Sequence, residues 1–283
     1  MKILITGGRG MLGQDLKTIL ESKNVEVISA DLGDFDICDQ KAVLNFIKNT
    51  NPDAVIHCAA YTNVDGCEDN VETAFKVNGC GTRNIALSCG KFNKKMVYIS
   101  TDYIFDGTKN SPYYEYDTPN PLSIYGMSKF YGEKYVSQLC TDSFIVRISW
   151  LFGPNGNNFV KAILKKAVET GEISVVTDQH GSPTYTKDLA LFLNDLVATE
   201  HFGIYHATNE GYCTWFDFAK KAIELNNLSE KVKMNQITAD ILKRRAIRPK
   251  NSMLHKINLK TSGFTPLPTW ETALKRYIDE TFS

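Results

Sequence analysis

The sequence predicts an α/β fold in which a doubly wound parallel sheet carries a smaller C-terminal lobe. Three observations predict it. Short apolar runs recur through the first half, helical patterns separate them, and the alternation stops after Trp150. The runs cover residues 2–6, 25–29, 54–58, 96–100 and 144–149. They are apolar almost throughout, as strands buried on both faces of a parallel sheet must be. Helical patterns over 11–21, 41–48 and 71–91 fill the gaps. Strand, helix, strand at this spacing demands right-handed crossovers. The expected division is a first domain over 1–150, with 157–170 and 186–210 packing back on it, and a mainly substrate-binding lobe over 151–283.

Composition narrows the function classes. Lys+Arg and Asp+Glu both number 32, so nucleic acid and a polybasic membrane contact are not expected partners. The basic cluster Lys243-Arg244-Arg245 with Arg248 reads either as a solvated helix end or, in part, as a phosphate contact. Seven cysteines show no C-x-x-C pair, and several lie in apolar runs, which points to free thiols in a reducing compartment. The opening run Lys2-Ile3-Leu4-Ile5-Thr6 is too short for a signal peptide, and no stretch approaches a membrane span. A cytoplasmic location is expected.

The first run ends in Thr6-Gly7-Gly8-Arg9-Gly10-Met11-Leu12-Gly13, where a helix begins. The spacing is G-x-x-G-x-x-G over Gly7, Gly10 and Gly13. Glycines there turn the chain, let backbone approach a pyrophosphate and let helix touch sheet, while the helix N-terminus offers unpaired N–H groups. A buried strand before and a helix after are the context a Rossmann-like dinucleotide site needs. Asp31 ends the second strand, where a carboxylate accepts from the adenosine ribose and favours NADH. Arg9 instead suits the 2′-phosphate of NADPH, so both cofactors stand. Asp36-Ile37 suits an adenine edge and face, or else the N-cap region of the next helix.

Reduction of a ketone leaves charge on oxygen that a placed acid must quench. Tyr125-Gly126-Met127-Ser128-Lys129 sets a phenol and an ammonium at i and i+4, on one helical face. With 13 tyrosines and 25 lysines, one such pair arises about once by chance, so context carries the weight. The fourth run ends in Ser100-Thr101-Asp102, delivering hydroxyls to the sheet's carboxyl edge.

These features in this order resemble the extended short-chain dehydrogenase/reductase superfamily over the whole chain. Within it the likeness is greatest to the dTDP-4-dehydrorhamnose reductases. The strings that carry it are Cys58-Ala59-Ala60-Tyr61-Thr62-Asn63-Val64-Asp65, Ser100-Thr101-Asp102-Tyr103-Ile104-Phe105-Asp106-Gly107 and Arg147-Ile148-Ser149-Trp150-Leu151-Phe152-Gly153. Gly156-Asn157-Asn158-Phe159, Asp178-Gln179-His180-Gly181-Ser182-Pro183-Thr184 and Arg248-Pro249 add to it.

The resemblance implies Tyr125 as proton donor, Lys129 as the nicotinamide-ribose contact that lowers the phenol pKa, and Thr101 as a partner of the reacting oxygen. It places Gly7, Gly10, Met11, Leu12, Gly13, Asp31, Asp36, Ile37, Ala60, Tyr61 and Thr62, with Tyr125 and Lys129, on the cofactor. It places Thr101, Asp102, Trp150, Asn158, Gln179 and Arg248 on a nucleotide-sugar substrate. Core packing for Trp150 and a strand-end cap for Thr101 are the structural alternatives. Mg²⁺ near a subunit interface, held by Asp15 and Glu280, is a further option it allows, as is a homodimer. Tyr103 stands where related 4,6-dehydratases carry Glu, which disfavours dehydration. The remaining alternatives are another nucleotide-sugar reductase, a 4-epimerase and a non-catalytic dinucleotide-binding regulatory subunit.

Overall fold

The computed structural model describes residues 1–282. The five apolar runs become β1 (Lys2–Thr6), β2 (Glu26–Ala30), β3 (Ala54–His57), β4 (Lys95–Thr101) and β5 (Ser143–Ile148). A sixth strand, Gly203–His206, joins the far edge beside β5. Every neighbouring pair is parallel, in the order β2-β1-β3-β4-β5 and then the sixth. Strands β3 and β5 are buried at every residue, so both faces of the sheet need helical cover.

One covering layer buries Leu12, Leu16 and Leu20 of α1 (Met11–Ser22) against Leu189, Leu193 and Val197 of the helix Thr186–Val197. The other buries Val43 and Ile47 of α2 (Gln40–Thr50) with Ile85 and Ala86 of the helix Thr82–Lys91. Each fully buried aliphatic side chain of this size stabilises the fold by about 1.5–3 kcal/mol. Strand order reverses between β1 and β3, and open sheets leave a ligand crevice at the carboxyl ends there.

A second core gathers Phe152, Ile173, Val175, Phe218 and Tyr277. The helix Phe159–Thr170 belongs to it. Its buried stripe Val160, Ile163, Leu164 and Ala167 recurs at helical spacing and packs into this cluster. The segment 157–170 therefore packs in the second lobe instead of on the first domain. Residues 186–210 supply the helix packed against α1 and the sixth strand of the main sheet. Asp15 of α1 ties down two later segments: its carboxylate accepts from the Thr186 hydroxyl of the neighbouring helix and, at 3.0 Å, from the Asn155 amide of the loop after Phe152.

The helical pattern over 71–91 contains a π-helical turn, Phe75–Gly81, between Val71–Ala74 and Thr82–Lys91. The turn holds buried Asn78, whose amide oxygen accepts the Tyr61 N–H at 2.7 Å. Its nitrogen donates to the Tyr61 carbonyl and the Ser128 hydroxyl. Such insertions cluster at functional sites. Periodicity alone gives no sign of it.

Candidate active site

A cavity of about 810 Å³ runs along the carboxyl ends of the strands. Thr6, Ala30, Thr101 and Ile148, the last residues of β1, β2, β4 and β5, all line it.

One wall is mostly backbone. Gly7 takes φ +71°, and a Cβ there would lie 2.7 Å from the Ala59 nitrogen. A Cβ on Gly13 would lie 2.3 Å from the Gly7 carbonyl oxygen, so α1 touches the turn only because that atom is missing. Gly10 caps α1 with no side chain, which leaves first-turn N–H groups for a ligand where Gly10, Met11 and Leu12 line the cavity. Asp31 lines it too, its carboxylate accepting from the Arg9 and Leu32 N–H groups at 3.0 and 2.9 Å. Arg9 lines the same cavity, so the acidic and basic signals sit side by side. Asp36, Ile37, Ala60, Tyr61 and Thr62 complete this wall. Asp36 does not cap α2; Asp39 does, accepting from the Lys41 and Ala42 N–H groups. A tight glycine turn, a helix end without a side-chain cap and an acid at the second strand fit a nicotinamide dinucleotide.

The facing wall carries the titratable groups. Ser123 caps the helix Ile124–Leu139 by accepting the Gly126 N–H, which sets Tyr125 in the first turn and Lys129 one turn on. Both line the cavity with Thr101. Lys129 is buried, donates to the Ile99 carbonyl at 2.7 Å and lies 4.2 Å from the centre of the Tyr98 ring. Burial pulls its ammonium down to about 7. Burial also dominates the Tyr125 phenol and raises it well above the usual value. A hydrogen bond from Thr101 works against that rise, while the Asp102 charge adds to it. The phenol is therefore raised, not lowered, in the protein by itself. Thr101 does cap the turn after β4, accepting the Tyr103 N–H at 3.2 Å, and still faces the cavity.

Asp102 follows, buried, one oxygen accepting the Thr101 hydroxyl at 3.0 Å. Its other oxygen has no hydrogen-bond partner among the described residues. Burial pushes this carboxyl up to about 7, against the nearby Ser252 and Thr101 hydroxyls. An unpartnered buried acid on a cavity wall is suited to a ligand hydroxyl. Trp150 lines the cavity with φ +48°, its indole stacked on Trp215 at 3.7 Å. A left-handed conformation at a non-glycine residue costs about 1–3 kcal/mol, which the packing around Trp150 must offset.

Three expected substrate contacts lie outside the lining. Asn158 caps the helix Phe159–Thr170, accepting the Lys161 N–H and donating to the Gly153 carbonyl and the Tyr277 hydroxyl. Those bonds spend its amide on local structure. Gln179 is buried away from the cavity lining. Arg248 pairs with Asp65 through two bonds of 2.9 and 3.1 Å and stands beside Tyr103, which does line the cavity. Burial pushes the Tyr103 phenol up to about 12, while Arg248 and Arg244 pull it down. Arg248 thus reaches the rim through a neighbour.

The Mg²⁺ option finds no support. Asp15 is committed to Thr186 and Asn155, and Glu280 to Lys187 and Tyr185. Among the described residues no cluster of three or more His, Cys, Asp or Glu is arranged to hold a metal. No helix there is long and apolar enough to cross a membrane. Sequence reasoning also passed over Glu133 and Arg147, a buried ion pair at 2.8 Å. Glu133 stands four residues after Lys129, a spacing that would have flagged it.

The pattern of the RmlD substrate binding domain family matches residues 1–283. The chain belongs to this family. A dTDP-4-dehydrorhamnose reductase from Streptomyces griseus is 37% identical over 96% of this chain and 91% of that protein. The Bacillus subtilis spore coat polysaccharide biosynthesis protein SpsK is 38% identical over 99% of this chain and 97% of its own length. A crystal structure of dTDP-4-dehydrorhamnose reductase from Bacillus anthracis in complex with NADP superposes with a TM-score of 0.96. It is 41% identical, with 99% of each chain covered. The chain is an oxidoreductase of the RmlD family with a Rossmann-type fold.

Proposed function

We propose that this protein reduces the 4-keto group of dTDP-4-dehydro-6-deoxy-L-mannose (dTDP-4-dehydrorhamnose) to give dTDP-L-rhamnose, with Tyr125 as proton donor. One observation carries the reading: Tyr125, Lys129 and Thr101 line the same cavity as the glycine turn and the uncapped start of α1. NADPH or NADH bound along that turn supplies the hydride.

Met11 and Leu12 offer N–H groups to a pyrophosphate beside Gly10, whose own N–H closes the turn on the Gly7 carbonyl, and Asp31 and Arg9 meet the adenosine end. Thr101 and the free oxygen of Asp102 orient the sugar, and Trp150 walls the ring. Arg248 and Arg244, beside Tyr103 at the rim, take the diphosphate. As carbon 4 gains hydride its oxygen becomes an alkoxide, and the Tyr125 hydroxyl gives it a proton. Thr101 and Lys129 stabilise the phenolate left behind. The phenol is protonated at neutral pH, as a donor must be, and burial moves it further that way. Remote contacts to the nucleotide supply the orientation that places the ketone.

The test follows loss of reduced cofactor against a panel of nucleotide sugars, with NADPH and NADH in turn. Oxidation that requires a 4-keto-6-deoxy sugar, fastest on the dTDP compound, is expected. Isomerisation of the sugar without net oxidation would replace the reading with an epimerase. No turnover with any member of the panel would leave a binding subunit.

A further inference from the structure

Lys129 and Glu133 lie one turn apart on the helix Ile124–Leu139, on the same face. The Glu133 carboxylate is buried and fully engaged. Its Oε1 accepts from the Ser100 hydroxyl at 2.5 Å and from Arg147 Nε at 3.0 Å, and its Oε2 accepts from Arg147 Nη2 at 2.8 Å. Arg147 is itself buried and donates a further bond to the Glu115 carbonyl at 3.0 Å. Ser100 precedes Thr101 on β4 and lines the cavity. A buried ion pair is a weak source of stability, since removing two charges from water costs about what their attraction returns. This one lies behind the wall that holds Lys129.

The groups around Lys129 differ in charge. From β3 and its end come His57, held neutral because burial drives it down to about 3, and Cys58, held as a thiol because burial drives it up to about 12. From β4 come the neutral Tyr98 ring and the Ile99 carbonyl. Its own helix contributes Tyr125 and Glu133, the turn after β4 contributes Asp102 near Tyr125, and β5 contributes Arg147 behind Glu133. Glu133 is the carboxylate among them that acts on Lys129, raising it against burial.

We infer that Glu133, clamped by Arg147 and Ser100 one helical turn from Lys129, is a positioning residue for the reduction: its fixed carboxylate favours the ammonium form of Lys129 inside a wall that opposes it. The inference rests on the role given to Lys129 above. Arg147 and Ser100 fix the carboxylate's direction, so the charge is held without a direct ion pair that would draw the ammonium away from a ligand.

The test is Glu133→Gln, read as the pH profile of kcat/KM. Without the carboxylate Lys129 loses its proton at lower pH, so the alkaline limb moves toward acid by about one unit or more, and Glu133→Asp restores it in part. Glutamine strands Arg147, so Glu133→Gln/Arg147→Met, which removes both charges, is measured beside it and shifts the limb in the same direction. A second readout needs no cofactor. A lysine whose folded pKa is depressed binds fewer protons folded than unfolded, so stability rises with pH between the two values. Urea unfolding across pH must show that rise starting at lower pH in both Glu133→Gln variants. A limb and an onset that stay in place, with only a uniform loss of rate, overturn the proposal. Lys129→Met separates the two claims: wild-type turnover there removes the role of the lysine and this inference with it. An inactive Lys129→Met beside unshifted Glu133 variants removes this inference alone.

Discussion

The two walls of the cavity are built by different means. The glycine-turn wall uses backbone: a turn at Gly7, a helix start at Gly10 with no side-chain cap, and short stretches near residues 31, 36 and 60. Each piece is local in sequence, and missing side chains do the shaping. The facing wall uses side chains joined across long separations. Trp150 leans on Trp215, and Tyr103 stands beside Arg248, which is held by Asp65 of the helix Val64–Asp69. The difference teaches where a motif is informative. A backbone-built site leaves its signature in consecutive residues, whereas a site built from coupled side chains leaves it in pairs that only the fold brings together.

Three substitutions probe that contrast, in falling order of effect. Gly13→Val attacks the backbone wall, because even a first Cβ would meet the Gly7 carbonyl oxygen at 2.3 Å. Cofactor binding by fluorescence titration should fall at least about a hundredfold, the scale of several kcal/mol of steric conflict. Retained affinity would show that the turn is not shaped by the missing atom. Arg248→Met attacks the coupled wall. It should raise KM for the nucleotide sugar about tenfold, roughly 1.4 kcal/mol, with the Kd of NADPH unchanged. A change in cofactor affinity instead would place Arg248 on the other wall. Asn158→Ala should do neither. Loss of a helix N-cap costs about 1 kcal/mol of stability, visible as a lower urea midpoint, while KM stays put. A raised KM with stability intact would return Asn158 to the substrate.

How much was legible follows the same division. All five apolar runs became strands within a residue or two, because a strand covered on both faces has no choice but to be apolar. Gly7, Gly10, Gly13 and Asp31 fell on the cavity because spacing and strand position dictate it. Tyr125 and Lys129 fell there as well, since i and i+4 share a helical face. Asn158 misled for a physical reason: Asn before an apolar helical run is also a good N-cap, and capping claimed it. The lobe that takes the helix Phe159–Thr170 was not legible, because an apolar stripe says that a face is buried but not against what. The π turn around Asn78 left no pattern in the order of residues, and Glu133 left only its i and i+4 spacing from Lys129, since its pairing with Arg147 is a contact that the fold makes.

The proposed reduction turns on the hydroxyl of Tyr125, so removal of that hydroxyl is the most direct measurement. Tyr125→Phe keeps the ring, its edge contact with Tyr103 at 5.6 Å and the glycine-turn wall, and deletes only the donated proton. Turnover of the 4-keto sugar should fall by ~10²-fold or more while NADPH binds as before. A variant that reduces the sugar at close to the original rate would mean that another group protonates the alkoxide.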